Sequence, residues 1–176
     1  MDMQAAMVGM LPNVVMFIRN VAKAIANARK KKIPVIYVIV GFRPGAPEMN
    51  MKNKSFAAVG RERWTVEFVE DWMKIHPDVA PLADEIIVTK RRVSAFAGSD
   101  LEVILRSQGI QHIVLTGFTT SGVVLSTMRE AADKDYRITI LADCCIDADE
   151  EVHRVLTTKV FPRQADVLVV DEWNKI

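Results

Sequence analysis

Cysteine is scarce in this chain. There are two, Cys144 and Cys145, and they are neighbours. Adjacent residues hold their Cα atoms about 3.8 Å apart, too close for a relaxed disulfide, and no third thiol is available. The pair therefore reads as two reduced, buried thiols, with a vicinal redox switch as the alternative. Glycine and proline number only 8 and 7, which excludes a collagen-like or low-complexity chain. The three histidines, His76, His112 and His153, are scattered, so no His/Cys cluster has zinc spacing. No apolar run approaches the ~18–20 residues of a transmembrane helix. The first residues show no basic stretch leading into an apolar one, so no signal peptide is expected. Neither charge sign is in excess: 23 Lys and Arg against 22 Asp and Glu give +1. That balance offers no argument for a nucleic-acid groove or an acidic partner. The expectation is a cytoplasmic protein with no membrane or nucleic-acid partner.

What is present is an alternating pattern. Half of the 176 residues are hydrophobic, and at roughly 150 residues per domain the whole chain, 1–176, is expected to form one domain. Pro12 to Lys32 reads as an amphipathic helix, with Val14, Val15, Phe17, Ile18, Val21, Ile25 and Ala28 at helical spacing. Ile33 to Val40 is a β-branched run suited to a parallel strand covered on both faces. Residues 41–63 are irregular and form an arm or lid. The apolar and aromatic side chains in and just after it, Met49, Met51, Phe56, Trp64, Phe68 and Trp72, fit either a partner surface or packing on their own domain. Trp64 to Lys74 is partly helical. Strands follow at Glu85–Thr89, His112–Thr116, Arg137–Leu141 and Asp166–Val170. Between them lie a helix from a Ser99–Glu102 capping box to about Ser107, and helices near Val123–Lys134 and Asp149–Val160. Strands alternating with helices predict an α/β fold, a three-layer doubly wound mostly parallel sheet.

Ligands of such sheets bind beyond the carboxyl ends of the strands. Three features fall there. Asp2 precedes the first helix, Lys90 follows a strand, and Gly117-Phe118-Thr119-Thr120-Ser121-Gly122 joins a strand to a helix. Each alone is bland: a cap, a solvated lysine, an N-cap turn. The turn also carries amides that attract an anion or a developing oxyanion. It is no phosphate loop, since neither the Walker spacing nor GxGxxG is present.

Taken together, Asp2-Met3-Gln4, Lys90 and Gly117-Phe118-Thr119-Thr120, followed by Thr127, Ala131-Ala132 and Tyr136, resemble the isochorismatase-like, or cysteine hydrolase, superfamily. The resemblance covers essentially the whole chain. It implies a hydrolase with a Cys-Asp-Lys triad, in which Asp2 would take the thiol proton and Lys90 would balance the charge. The turn residues Gly117, Phe118, Thr119, Thr120 and Gly122 would line the oxyanion site, with a cis peptide between Phe118 and Thr119. No cofactor is implied. The nicotinamidase-type members carry a metal-binding Asp and His, which the segment 41–54 lacks, so no metal is expected. The family commonly forms homo-oligomers.

One departure decides the mechanism. Counting six from Gly117, or four back from Thr127, reaches Val123, so the nucleophile position holds valine. Valine forms no acyl intermediate. Cys144 and Cys145 are expected after a later strand, and Ser121 sits two residues early with no histidine foreseen to activate it. A branch of the superfamily hydrolyses a vinyl ether without the cysteine, using the aspartate as proton donor. That chemistry needs an Asp2 pKa raised by burial against the lowering effect of Lys90. It also needs donors for an anionic substrate, for which Arg43, Arg91 and Arg92 are candidates. Two readings follow: a small-molecule hydrolase with a non-cysteine mechanism, or a catalytically silent member that binds a small ligand or serves as an assembly subunit. By the same resemblance Asp-x-Gln ends the first, central strand, so that strand is expected to be truncated here.

Overall fold

The computed structural model describes residues 1–176. Two parallel ladders form its centre. Strand β1 (Ile36–Val40) pairs with β2 (Ile86–Lys90), and β3 (His112–Phe118) pairs with β4 (Arg137–Ile146), which in turn pairs with β5 (Asp166–Leu168). The β-branched run that predicts β1 begins at Ile33, but the strand begins at Ile36. Pro34 lacks the amide a ladder needs, which is why prolines stay out of strand interiors. No strand joins the two ladders. Met1 and Asp2 lie between them at one end: the Asp2 amide donates to Val38 O at 2.7 Å, and the Phe118 amide donates to Met1 O at 3.2 Å. Below that contact the edges of β1 and β3 border a cavity of about 340 Å³ on one face, lined among others by Ile36, Val38, Leu105 and Leu115. A second cavity of about 120 Å³ opens on the other face, against Ala24, Ala28 and Leu141.

Helices cover both faces, giving the expected three layers. On one side α2 (Val15–Lys30) buries Phe17, Ile18, Val21 and Ala28 of the predicted stripe together with Ala24, whereas Val15, counted in that stripe, faces solvent at the start of the helix. The short helices α1 (Ala5–Val8) and α8 (Val170–Trp173) join it, around Met3, Val8, Leu141 and Cys144. The predicted helix from Pro12 starts three residues later, because Asn13 takes φ 57° and breaks the first turn. On the other side α5 (Leu101–Ser107) and α6 (Leu125–Asp133) pack Leu101, Leu105 and Met128 onto Val88, Leu115, Ile138 and Ile140. The helix α7 (Glu150–Val155) continues through a π turn over Leu156–Val160.

Two expectations change. Cys144 and Cys145 lie within β4, not after it, because that strand runs on to Ile146. They point to opposite faces, one into each core, as strand alternation requires. Burial pushes both thiols up, Cys145 to about 12. The capping box at Ser99 does not form. The Ser99 hydroxyl accepts from the Leu101 amide, but Glu102 turns away to Lys134. The arm packs on itself: Phe42, Ala46, Met49 and Trp64 are buried together, and Trp64 sits edge-on to Phe42, Phe68 and Trp72 at 4.8–5.8 Å between ring centres. The helices α3 (Lys54–Ala57) and α4 (Val66–Trp72) flank that cluster.

Candidate active site

The carboxyl ends of β1, β2 and β3 bring together the residues that the sequence singled out. Lys90 is the last residue of β2 and is 2% exposed; Asp2 is 4% exposed. Their side chains meet at 3.0 Å from Nζ to Oδ2. The ammonium also donates to Arg92 O at 3.0 Å. Asp2 Oδ1, by contrast, is buried with no hydrogen-bond partner. Asp2 adopts φ 54°, a left-handed conformation that short polar residues tolerate better than most.

Burial is the largest influence on both members of the pair. It pushes the Asp2 carboxyl above its ordinary value, against the lowering pull of Lys90, and it pushes the Lys90 ammonium down, against the raising pull of Asp2. Desolvation is thus the larger influence on Asp2, whose carboxyl holds a proton more readily than an exposed one, while Lys90 still pulls it toward the charged pair.

Gln4 is the residue whose role the sequence did not disclose. It is fully buried. Its amide accepts from the Val40 amide at 2.9 Å and donates to Val40 O at 3.0 Å, so a side chain stands in for a neighbouring strand at the end of β1. It also donates to Trp72 O at 2.7 Å, and the Trp72 indole donates to Val40 O at 2.7 Å. Gln4 thus fixes the Asp2 segment to both the sheet and the arm. The loop after Lys90 is held from beneath by two further motif residues. Buried Thr127 accepts from the Ala95 amide at 2.9 Å, and Tyr136 stacks on Phe96.

The turn after β3 begins at Gly117, whose φ of 141° and closeness to Met1 O leave no room for a side chain: an added Cβ would lie 2.1 Å from that oxygen. The Phe118–Thr119 peptide is cis, at the bond where the resemblance placed one. Residues Thr120–Val124 form a π turn rather than the first turn of a regular helix. Three of its amides already have partners, Val124 N donating to Thr119 O at 3.2 Å. Ser121 N donates to Asp147 Oδ2 at 2.7 Å, and Gly122 N donates to Thr119 Oγ1 at 2.9 Å. Val123 is 2% exposed and offers no reactive atom. The candidate arginines are also committed. Arg91 donates to Gly41 O, Arg92 donates to Arg91 O and Glu48 O, and Arg43 pairs with Glu48. Thr120, fully buried, meets His153 of α7, Oγ1 to Nδ1 at 2.8 Å. That contact joins residues 33 apart and has no sequence signal.

The sequence pattern of the isochorismatase domain matches residues 1–172. The chain belongs to the isochorismatase family. An uncharacterized isochorismatase family protein of Bacillus subtilis, YwoC, is 32% identical over 144 residues, 82% of this chain and 74% of that one. N-carbamoylsarcosine amidase of an Arthrobacter species is 30% identical over 128 residues, 72% of this chain, and the match spans about half, 48%, of that enzyme's length. Among solved structures, an isochorismatase family protein of Burkholderia thailandensis superposes with a TM-score of 0.87 at 27% identity, covering 99% of this chain and 90% of that one. The isochorismatase-like fold and the hydrolase family follow from these likenesses. No helix is long and apolar enough to cross a membrane.

Proposed function

We propose that this isochorismatase-family chain hydrolyses a small molecule without a covalent intermediate. Asp2 acts as the acid and base, Lys90 balances its charge, the turn 117–122 faces the developing negative charge, and Val123 walls the pocket where relatives would place a nucleophile. The observation that carries this reading is the unpartnered Asp2 Oδ1 of the buried Asp2–Lys90 pair. A buried carboxyl oxygen without a partner is costly, and a substrate that supplies one removes that cost. A proton-donor role suits a carboxyl whose pKa burial has raised. On a vinyl ether, Asp2 protonates the alkene carbon, water adds to the resulting oxocarbenium carbon, and the water's proton returns to Asp2. Collapse of the hemiketal gives a carbonyl and an alcohol. Because Phe118, Ser121 and Gly122 already donate elsewhere, an anionic group of the substrate falls to the amides of Thr119 and Thr120. Arg91 and Arg92, tied to backbone carbonyls, are poor anchors for a dianion, which favours a vinyl ether of low charge.

The test is turnover of a panel of amides, vinyl ethers and cyclic imides by the native chain and by Asp2→Asn. Loss of activity by about a hundredfold or more is expected, within the range removed with a general acid or base. Equal turnover by the two proteins sinks the mechanism. Val123 supports a second reading, a member that binds a small ligand or serves as an assembly subunit without turnover. Ligand affinity that Asp2→Asn weakens, with no turnover on any substrate, favours it. A homo-oligomer in the cytoplasm remains part of the proposal, and sedimentation tests the assembly: a monomer removes it.

A further inference from the structure

The segment that follows β4 reaches across to the turn that follows β3 at two points. Asp147 Oδ2 accepts from the Ser121 amide at 2.7 Å. Six residues on, His153 Nδ1 meets the hydroxyl of Thr120 at 2.8 Å. Thr120 has no exposed surface, while His153 is half-buried on α7. With Nδ1 unprotonated, the ring accepts the Thr120 hydroxyl proton and satisfies a donor that has no route to water. With Nδ1 protonated, the ring becomes the donor, and the Thr120 proton must find another acceptor inside the protein. An orphaned buried hydroxyl opposes that state. The direction of this contact therefore matters to the turn.

We infer that His153 is a positioning residue for the substrate turn: through Thr120, together with Asp147 through Ser121, it clamps residues 119–123 in the conformation that faces Asp2. The inference rests on reading the turn as part of the site, but its test needs no substrate. The clamp explains why a polar, half-buried histidine sits on an otherwise ordinary surface helix. Its fixed end is firm, because Thr157 one turn later donates to His153 O at 2.8 Å. Burial lowers the His153 pKa and Asp147 raises it, with burial the larger influence, so the neutral, accepting ring is the one favoured near neutral pH. The π turn packed against α7 carries no titratable side chain. The continuing segment Leu156–Val160 brings Lys159 alone, and α7 itself carries Glu150, Glu151 and Arg154.

Amide hydrogen exchange of Ser121 and Gly122 tests the clamp in the intact chain. His153→Ala is expected to speed their exchange by roughly tenfold, the local opening gained when one ordinary hydrogen bond is lost. His153→Asn, whose amide lies near the place of Nδ1, is expected to keep most of the protection. Thr120→Val is expected to match His153→Ala, and the double variant to add nothing further. In the native chain, protection of the two amides should fall as the pH drops below 6.5, the ordinary histidine value, whereas His153→Asn should show no such step. A role in packing alone predicts a uniform loss of stability, with no rescue by Asn and no step in pH, and that pattern overturns the inference. So does unchanged exchange in His153→Ala.

Discussion

Removing the charge of Lys90 while keeping its shape is the most direct probe of the Asp2–Lys90 pair. Lys90→Met leaves a side chain of similar length in a site that is 2% exposed and takes away the ammonium 3.0 Å from Asp2. Asp2 then has two options in the folded state: remain charged without its partner, or take up a proton. The second sets a ceiling on the cost. Protonating a carboxyl of ordinary value 3.8 at pH 7 requires about 4 kcal/mol, at 1.36 kcal/mol per pH unit. At pH 5 the same step requires roughly 2 kcal/mol. The pH 7 figure lies within the roughly 3–5 kcal/mol typical of breaking a buried pair from one side. The sign follows. A carboxyl whose folded pKa is raised keeps its stability at low pH and loses it as the pH climbs. Urea unfolding of native chain and variant between pH 5 and 7 should therefore diverge by up to about 1.4 kcal/mol per unit, with unchanged slopes in denaturant. Stability curves that run parallel over that range would refute the view that Asp2 depends on Lys90 for its charge. Replacing both residues by apolar ones of similar size should restore much of the loss.

Other outcomes follow from the same geometry. Val123→Cys should yield a thiol that iodoacetamide traps in the folded protein, with measurable amidase activity, and adding Asp2→Asn should slow the trapping; an inert thiol would argue against an intact site. Gln4→Ala should cost about 3 kcal/mol in thermal or chemical melts, since it strands the buried amide and carbonyl of Val40. Gly117→Ala should cost at least as much, because its Cβ meets Met1 O at 2.1 Å and its φ is closed to other residues. Cys144 and Cys145 should stay unreactive toward thiol reagents until the chain unfolds, as buried thiols with raised pKa values do.

Local pattern carried most of the architecture. The stripe of α2, the β-branched run of β1 and the five alternations of strand and helix were legible because each is set by burial at a fixed period. Boundaries were less so. The expected strand stops at Leu141, yet β4 runs on to Ile146 and accommodates Asp143, whose carboxylate accepts from the Val170 amide and from Asn20. Glu102 had two attractions, its own helix start and Lys134, and only the fold brings the second within reach. In the site, Asp2, Lys90 and the turn were recognisable as a set, and the structure does bring them together. Gln4 matched the same set without disclosing a role, since its partners are the backbone of β1 and of α4. The pairing of Thr120 with His153 depends on two segments meeting after separate strands, which no spacing encodes.

The gap between β1 and β3 has a mechanical consequence. The backbone of Met1 and Asp2 ties the two ladders together at one end, while α5 and α6 pack across both. Asp2 hydrogen-bonds to one ladder at Val38, Met1 to the other at Phe118, and Lys90 rides on the first. The acid–base pair therefore sits on the contact that spans the two ladders. A ligand on Asp2 Oδ1 bears on that same contact. Exchange of the β1 and β3 amides that face the gap would register the occupancy of a site several residues away.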